Sequence, residues 1–578
     1  MTGLASTLAT IWRLAAPYFR SEDRLAGRLL LGAVIGTELG IVAITVLINQ
    51  WNNRFYNALQ DRNWDAFVSE LLFFCGLAGA FIVLAVYQLY LNQWLQIRWR
   101  RWMTKTYLGD WLAGSNHYRM QLLGDAADNP DQRLTEDIQM FIEKTMTIGV
   151  GLLSAVVTLI SFVVILWGLS AAAPLTIFGN AWNIPGYLVW AALIYAVVGT
   201  VLTHLIGWPL IQLNFNQQRF EADFRFNLVR VRENSEQIAL LKGEAAETGR
   251  LLARFGRVVD NFMLIMSRTK RLTFFTASYQ QVSIVFPYVV VSPAYFSGAV
   301  QLGGLMQTAS AFNSVQTSLS FFITAYRQLA EWRAVIQRLA GFQLGAAAAR
   351  MAAASPPAIE VAAGPSQVAV EIADVSITLP DGKPLVTGSG LTIAPGEHVL
   401  VTGPSGSGKS TLFRAIAGIW PFGKGRIVIA RDAQLMMLPQ RPYFPVGTLI
   451  DAIAYPAASG TFTHSQTADA LRAVGLPALA ERLDEESHWN RMLSLGEQQR
   501  LGIARALLQK PDHLFLDEAT ASLDETSEAA LYRLLQERLP GATIVSIGHR
   551  STLIALHRRG FRLERDNGGH RVRDAALE

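Results

Sequence analysis

The sequence predicts a polytopic α-helical membrane domain followed by an α/β domain with a mainly parallel sheet. Hydrophobic residues make up 51% of the chain and charged residues only 16%, whereas about 25% charged residues is typical of soluble domains. The first part contains apolar runs of about 20 residues, the length that a bilayer core requires. After residue 367, short apolar strands alternate with helical stretches, a pattern typical of parallel α/β sheets.

The charge and cysteine content exclude several other classes. The net charge is +5, but arginines that flank apolar spans explain it more simply than a nucleic-acid partner, and none is expected. The single cysteine, Cys75, lies in an apolar run, which excludes a disulfide framework and a cysteine zinc site. The first 28 residues contain arginines and no apolar signal core, so no cleaved signal peptide is expected.

Six membrane spans are predicted from the apolar runs, and the charge of the connecting loops predicts that both termini are cytoplasmic. Segment 214–272 has apolar residues at helical spacing and predicts a long helix out of the membrane and back, broken near Gly243. Segment 129–141 predicts a turn followed by an amphipathic helix. The six predicted spans are 29–49, 71–90, 148–169, 187–210, 273–296 and 305–326.

Polar residues inside the spans are candidates for a transport pathway. Glu38 lies in the middle of the first span, and a carboxylate there is costly unless it faces a cavity or a partner. The sixth span has no clean apolar stripe because it contains Gln307, Asn313 and Gln316. Either a polar translocation path or hydrogen bonding between helices explains these side chains.

A segment rich in alanine, proline and serine separates the two domains. Residues 345–367 have this composition and predict a linker. The predicted boundaries are therefore 1–344 for the membrane domain and 368–578 for the α/β domain.

One motif of the α/β domain predicts a phosphate-binding loop. The run "GPSGSGKS", from Gly403 to Ser410, matches G-x-x-x-x-G-K-[ST], follows a predicted strand and precedes a predicted helix. Its backbone N–H groups would surround phosphates, Lys409 would reach the β/γ-phosphates and Ser410 would ligate Mg²⁺. ATP and Mg²⁺ are the expected cofactors. The predicted phosphate-binding residues are Gly403, Pro404, Ser405, Gly406, Ser407, Gly408, Lys409, Ser410 and Thr411.

Two adjacent carboxylates complete the predicted nucleotide site. Asp517 ends the apolar strand 514–516, which places it beside the phosphate loop in a parallel sheet. We expect Asp517 to hold Mg²⁺ through water and Glu518 to polarise the attacking water. The alternative is a pair of ordinary surface charges.

The order of these motifs resembles the nucleotide-binding domain of ABC transporters, a P-loop NTPase domain. The resemblance rests on the phosphate loop, "LPQRPYFPVGTL", "LSLGEQQRLGIARALL", "LFLDEATASLD" and His549. It implies that Gln440 is a catalytic residue that ligates Mg²⁺ and links the site to the membrane domain, and that His549 is a catalytic residue that contacts the γ-phosphate. It also implies contacts to the nucleotide of an opposite subunit or to the dimer interface for Ser494, Gly496, Glu497 and Asp524.

The membrane half resembles the SbmA/BacA-like peptide transporters and the related peroxisomal fatty-acyl-CoA half-transporters. The motifs are "WNNRFYNALQ", "IRWRRWMTKTYLGDWL" and "NPDQRLTEDI". The resemblance implies an exporter-type ABC fold and a homodimeric half-transporter of the bacterial inner membrane that imports peptides or other bulky hydrophilic compounds. Export or flipping of acyl lipids, and an ATP-gated regulator without a pumped substrate, are the alternatives.

The chain departs from the family pattern at two places. Leu379 and Pro380 stand where many such domains carry an aromatic residue that stacks on adenine. Leu495 stands where the signature usually has glycine. Because Ser494 and Gly496 are intact, we expect hydrolysis to survive.

Overall fold

The structure, a computed structural model, describes residues 2–124, 129–172, 175–177, 180–182, 184–354, 358–566 and 568–576. The chain divides into two compact units. The first consists of Met1–Thr106 and Asp131–Ala340, and the second of Tyr107–Pro130 and Gly341–Glu578.

Long helices dominate the chain up to residue 354. In order they are α1 Thr2–Ala15, α2 Arg24–Gln60, α3 Trp64–Leu112, α4 Asn116–Leu122, α5 Pro130–Gln132, α6 Ile138–Ala172, α7 Tyr187–Glu233, α8 Ser235–Leu240, α9 Glu244–Phe296 and α10 Leu302–Ala354. Two short strands, β1 Leu175–Ile177 and β2 Asn180–Trp182, pair between α6 and α7.

Five of the described helices are long and apolar enough to cross a membrane. They contain the first five predicted spans, and they extend well beyond the apolar runs. The sixth predicted span lies in α10, which is not among these five. Part of that span has side chains outside the described set, and its membrane assignment stays a prediction.

The long helix predicted for 214–272, with a break near Gly243, is confirmed. Helix α7 continues to Glu233, α8 forms a short helical segment, and α9 begins at Glu244 directly after Gly243. A second interruption of the helix, at Asn234, was not predicted. The Asn234 Nδ2 donates to the carbonyl of Arg230. The helix predicted within 129–141 is also confirmed and begins at Pro130, with a π-helical turn at Arg133–Asp137 before α6, whereas the predicted turn stays a prediction.

The end of α2 and the start of α10 are joined by side-chain amides, an arrangement that we call the amide clasp. Its members on α2 are Asn49, Asn53, Asn57 and Gln60. The first two N–H groups of α10 are satisfied from α2, since Leu302 N donates to Gln60 at 2.7 Å and Gly303 N to Asn57 at 2.8 Å. A Cβ at Gly303 would lie 1.9 Å from the carbonyl oxygen of Asn53, so only glycine permits this approach.

The α/β part of the second unit contains one large sheet. Its strands in chain order are β3 Ile359–Gly364, β4 Val370–Thr378, β5 Pro384–Ile393, β6 His398–Thr402, β7 Gly423–Ala430, β8 Leu435–Leu438, β11 His513–Asp517, β12 Thr543–Ile547, β13 Arg559–Asp566 and β14 Gly569–Ala575, whereas β9 Gly447–Thr448 pairs with β10 Glu486–Ser487 separately. The spatial order is β3-β7-β4-β5-β14-β13-β6-β12-β11-β8, and β13, β6, β12, β11 and β8 run parallel.

Among the residues described after 358, seven α-helices accompany this sheet: α11 Lys409–Ile416, α12 Leu449–Ala454, α13 His464–Ala473, α14 Trp489–Met492, α15 Leu495–Gln509, α16 Glu525–Arg538 and α17 Ser551–Ile554. Phe413 of α11 and Phe515 of β11 meet edge-to-face in a buried core under the phosphate loop. The parallel strands and this core fix the positions of the loops at their carboxyl ends.

The segment predicted as a linker has more regular structure than its composition indicates. Helix α10 continues through it to Ala354, and β3 pairs in parallel with β7 as the edge strand of the large sheet. Alanine-rich sequence is a good helix former, so the composition that marked a boundary also supports the helix.

Candidate nucleotide-binding site

The run Gly403–Ser410 comprises the loop between β6 and α11 and the first two residues of α11, at the carboxyl edge of the parallel strands. Gly403, Gly406 and Gly408 have φ values of 144°, 78° and 98°, a backbone region that glycine adopts at no steric cost. Pro404 and Ser405 are exposed at the outer side of the loop, and Thr411 is buried in α11.

Lys409 lies at the centre of this loop. Its Nζ donates to the carbonyls of Gly403 at 2.8 Å and Pro404 at 3.0 Å, and the residue is only 7% exposed. Burial lowers the pKa of the Lys409 amine, while the charges of Glu518 and Asp517 raise it. A confined cation beside free backbone N–H groups is a donor set that fits the phosphates of a nucleotide.

Two of the predicted metal ligands, Ser410 and Asp517, are in contact. Ser410 Oγ donates to Asp517 Oδ1 at 2.9 Å. Burial raises the pKa of the Asp517 carboxyl and the adjacent Glu518 raises it further, whereas Ser410, Arg414 and Lys409 oppose this shift. The Ser410 hydroxyl and the Asp517 carboxylate lie together where burial disfavours an uncompensated negative charge. Both supply hard oxygen atoms, the ligands that Mg²⁺ prefers.

The Glu518 carboxylate lies close to two other predicted residues, Gln440 and His549. Gln440 Nε2 donates to Glu518 Oε2 at 3.3 Å, and His549 Nε2 lies 3.5 Å from Glu518 Oε1. Glu518 has φ 52°, a left-handed conformation that is uncommon for a side chain other than glycine. The structure therefore brings Gln440, Glu518 and His549 together beside the phosphate loop.

The signature segment forms the start of α15. Ser494 is its N-cap: the Ser494 hydroxyl accepts from Glu497 N, and the Glu497 carboxylate accepts from Ser494 N, which makes a capping box. Leu495 is the first helical residue, a position that does not require the positive φ of glycine. The leucine in place of glycine is thus compatible with the local backbone.

Gly496 and Asp524 lie on adjoining segments. A Cβ at Gly496 would be 3.3 Å from the side chain of Leu523, so the start of α15 packs against the loop before α16. Asp524 is the N-cap of α16 and accepts from Ser527 N at 2.8 Å, and this bond lowers the pKa of its carboxyl.

The candidate pathway residues have different surroundings. Glu38 is 7% exposed and accepts a hydrogen bond from Gln88 of α3. Gln307 is buried in the amide clasp and Gln316 is also buried, whereas Asn313 on the same helix is exposed. Hydrogen bonding between helices, the alternative to a translocation path, therefore describes Gln307 within this chain. Asn313 is exposed instead.

Three residues that bond to the backbone around the site, or beyond the far end of α11, were not predicted from the sequence. Arg119 of α4 donates to the carbonyl of Gly418, directly beyond the end of α11, at 3.0 Å. Gln499 and Arg550 bond the backbone of the loops around the site. Gln499 lies two positions after Glu497, and Arg550 lies one position after His549. Sequence spacing does not reveal which backbone groups these two side chains reach.

Ser407 gives an independent sign that the loop is built for a ligand. The residue is fully buried, and among the described residues its Oγ has no hydrogen-bond partner. A buried hydroxyl without a partner is costly, and a phosphate oxygen would satisfy it.

Comparisons with known proteins agree with this geometry. The family models described as "ABC transporter transmembrane region 2" and "ABC transporter" match residues 14–296 and 386–521. An ABC transporter ATP-binding protein of Haemophilus influenzae is 36% identical, over 97% of this chain and 93% of the relative. The Escherichia coli inner membrane ABC transporter ATP-binding protein YddA is 35% identical, over 93% and 94% of the two chains.

More distant similarity extends along the whole chain. The human lysosomal cobalamin transporter ABCD4 is 26% identical, over 95% of this chain and 92% of that protein. A bacterial Atm1-family ABC exporter with ATP bound has a TM-score of 0.72 at 18% identity, with 94% of each chain covered. The exporter-type fold and the P-loop domain predicted from the sequence are confirmed, whereas the SbmA/BacA-like assignment stays a prediction. The chain belongs to the ABC transporters, as a half-transporter in which one membrane domain precedes one ATP-binding domain.

Proposed function

We propose that two copies of this chain form a homodimer in the bacterial inner membrane, with cytoplasmic termini, that uses ATP to import bulky hydrophilic compounds such as peptides. The observation that carries the substrate class is an uncharged polar face on α10. Its members, which we call the polar face, are Ser310, Asn313, Ser314 and Thr317.

The polar face is unusual for a helix that crosses a membrane. Asn313 and Thr317 are exposed and one helical turn apart, and no charged residue occurs from Leu302 to Phe321. Exposed amides and hydroxyls are poorly matched to acyl chains, so they favour a water-filled path. They can donate to and accept from peptide groups without selecting one charge.

The names of two relatives are consistent with this proposal. One relative is a lysosomal cobalamin transporter, and cobalamin is large and polar. Another is an inner membrane protein of Escherichia coli.

The nucleotide site supports a division of roles among its residues. The phosphate loop and Lys409 would hold the β- and γ-phosphates, and Ser410 and Asp517, with Gln440 nearby, would hold Mg²⁺. Glu518 would orient and polarise the attacking water, and His549 would contact the γ-phosphate. Mg²⁺ would neutralise the charge that develops on the transferring phosphoryl group.

Each chain contains one phosphate loop and one signature segment, so two chains would make two composite sites. Ser494, Gly496 and Glu497 of one chain would close the site of the other, with Asp524 at the interface. ATP would drive transport through its higher affinity for the closed dimer.

The test is reconstitution of the full chain in proteoliposomes with candidate peptides or acyl lipids. We expect peptides to stimulate the ATPase and to accumulate, and Asn313→Leu and Thr317→Val to reduce that stimulation. Thr45→Val is a matched control, because the Thr45 hydroxyl bonds to Ile41 within its own helix.

The alternative functions give different results. Stimulation and movement of acyl lipids without peptide accumulation would replace the proposal by lipid export or flipping. Peptide flux that continues in Glu518→Gln, without ATP turnover, would indicate an ATP-gated regulator instead of a pump.

A further inference from the structure

Gln499 bridges two loops that border the nucleotide site. We call residues 439–446 the glutamine loop, because it contains Gln440, and residues 518–524 the aspartate loop, because it ends at Asp524. Gln499 Nε2 donates to the carbonyl of Gln440, and Gln499 Oε1 accepts from Ser522 N, both at 3.0 Å. Gln499 is 1% exposed, so both bonds are protected from water.

The aspartate loop is held from a second direction by the residue that follows His549. Arg550 donates to the carbonyl of Ala521 at 3.0 Å and to the carbonyl of Leu523. The Arg550 guanidinium also lies 3.7 Å from the buried carboxylate of Glu528.

Glu528 ties the aspartate loop to α17. It accepts from Thr520 Oγ1 at 2.6 Å and from Thr552 Oγ1 at 3.0 Å. Thr520 belongs to the aspartate loop and Thr552 to α17, which follows His549. Gln440 and His549 are the two groups that contact Glu518. Gln440 is linked to the aspartate loop through Gln499, and His549 is linked to it through the adjacent Arg550.

We propose that Gln499 and Arg550 are positioning residues that transmit ATP engagement at one site to the aspartate loop, and so make the two sites of the dimer cooperative. The inference rests on the proposed homodimer with composite sites. When ATP draws the glutamine loop and His549 toward the γ-phosphate, breaking the bridge would leave buried polar groups unpaired. Moving the aspartate loop together with the glutamine loop would cost less free energy than breaking the bridge. The aspartate loop ends at Asp524, which the proposed homodimer places at the interface with the other site.

Gln499→Leu removes both arms of the bridge, and Gln498→Leu is its matched control. Gln498 is the preceding residue on α15, is also buried, and donates to the carbonyls of Asn490 and Leu493. Each substitution replaces a buried glutamine and removes two hydrogen bonds between its side chain and the backbone. Only the Gln499 side chain bonds to both the glutamine loop and the aspartate loop. A purely structural role would make the two variants behave alike.

The measurement is the ATPase rate of the full chain in nanodiscs as a function of ATP concentration, together with its thermal unfolding. We expect sigmoidal kinetics for the wild type and for Gln498→Leu. Gln499→Leu should bind ATP with unchanged affinity at a single site, give a Hill coefficient close to one, and lose about fivefold or more in kcat. Both variants should unfold at lower temperature.

Gln499→Met has an unbranched side chain close in volume to glutamine and serves if Gln499→Leu does not fold. It loses both the donor to Gln440 and the acceptor for Ser522 N, so it should also abolish sigmoidal kinetics. Arg550→Lys keeps the charge beside Glu528 while losing the two-carbonyl fork, and should reduce the Hill coefficient in the same direction.

Two results would overturn the inference in different ways. Sigmoidal kinetics in Gln499→Leu and Gln499→Met, or an equal loss in Gln498→Leu, would refute the bridge while leaving the dimer intact. Hyperbolic kinetics in the wild type would instead refute cooperative composite sites, and the inference together with them.

Discussion

Lowering the pH from about 7.5 to about 5 should destabilise the ATP-binding domain, with His557 contributing about 2 kcal/mol of the loss. The imidazole is buried, and burial lowers the pKa of His557 to about 4. The unfolded pKa is about 6.5, so the unfolded state binds more protons between these values. The stability from neutral His557 is therefore present above the unfolded pKa and is lost as the pH falls toward the folded pKa.

The position of His557 connects this loss to the nucleotide site. Its Nε2 lies 2.9 Å from Ser546 Oγ and its Nδ1 lies 2.7 Å from the carbonyl of Leu553. These two residues bracket His549 in the chain, so a proton on His557 disturbs the segment that presents His549. ATP-dependent stabilisation should fall over the same pH interval.

The assay is thermal and urea unfolding of the full chain in detergent at the two pH values. His557→Gln keeps a hydrogen-bonding side chain without a titrating ring, so its stability should change by about 2 kcal/mol less between these pH values. His488→Gln, at an exposed position, is the control and should behave as the wild type. An unchanged pH dependence in His557→Gln would refute the reasoning.

Three further predictions concern the site and the membrane domain. Glu518→Gln should retain ATP binding and lose turnover, which single-turnover phosphate release measures; normal release would contradict the role of Glu518. Leu495→Gly should leave the ATPase rate nearly unchanged, since Leu495 begins a helix without a positive φ, and a large gain in rate would show that the leucine limits turnover. Asp137→Asn should lower the free energy of unfolding by about 1–3 kcal/mol, because it removes the charge of a buried carboxylate that bonds to Arg133 and to the partly exposed Arg338; an unfolding temperature equal to that of the wild type would show that the pairs add nothing.

The nucleotide site was predictable because its residues lie in motifs whose backbone context is local. A strand, a glycine-rich turn and a helix in succession determine the loop around Lys409. The parallel sheet then determines that Asp517 lies beside it. These steps need only the hydrophobic pattern and the rule for strand ends.

The direction of polar side chains on long helices was not predictable in the same way. Gln307 and Asn313 are both polar residues of α10, but one is held by the amide clasp and the other is exposed. The difference depends on which neighbouring helix packs against each side. The same limitation hid Gln499, whose partners lie 59 and 23 positions away in the chain.

The amide clasp limits how the membrane domain can open. The first turn of α10 obtains its hydrogen-bond acceptors from α2, so separating these ends would remove those acceptors and would also break the buried bonds between Asn49 and Gln307. The final turns of α2 and the first turn of α10 should therefore move as one rigid piece. An opening on that side of the membrane would have to form between other pairs of helices, and a crosslink between α2 and α10 at the clasp should leave transport intact.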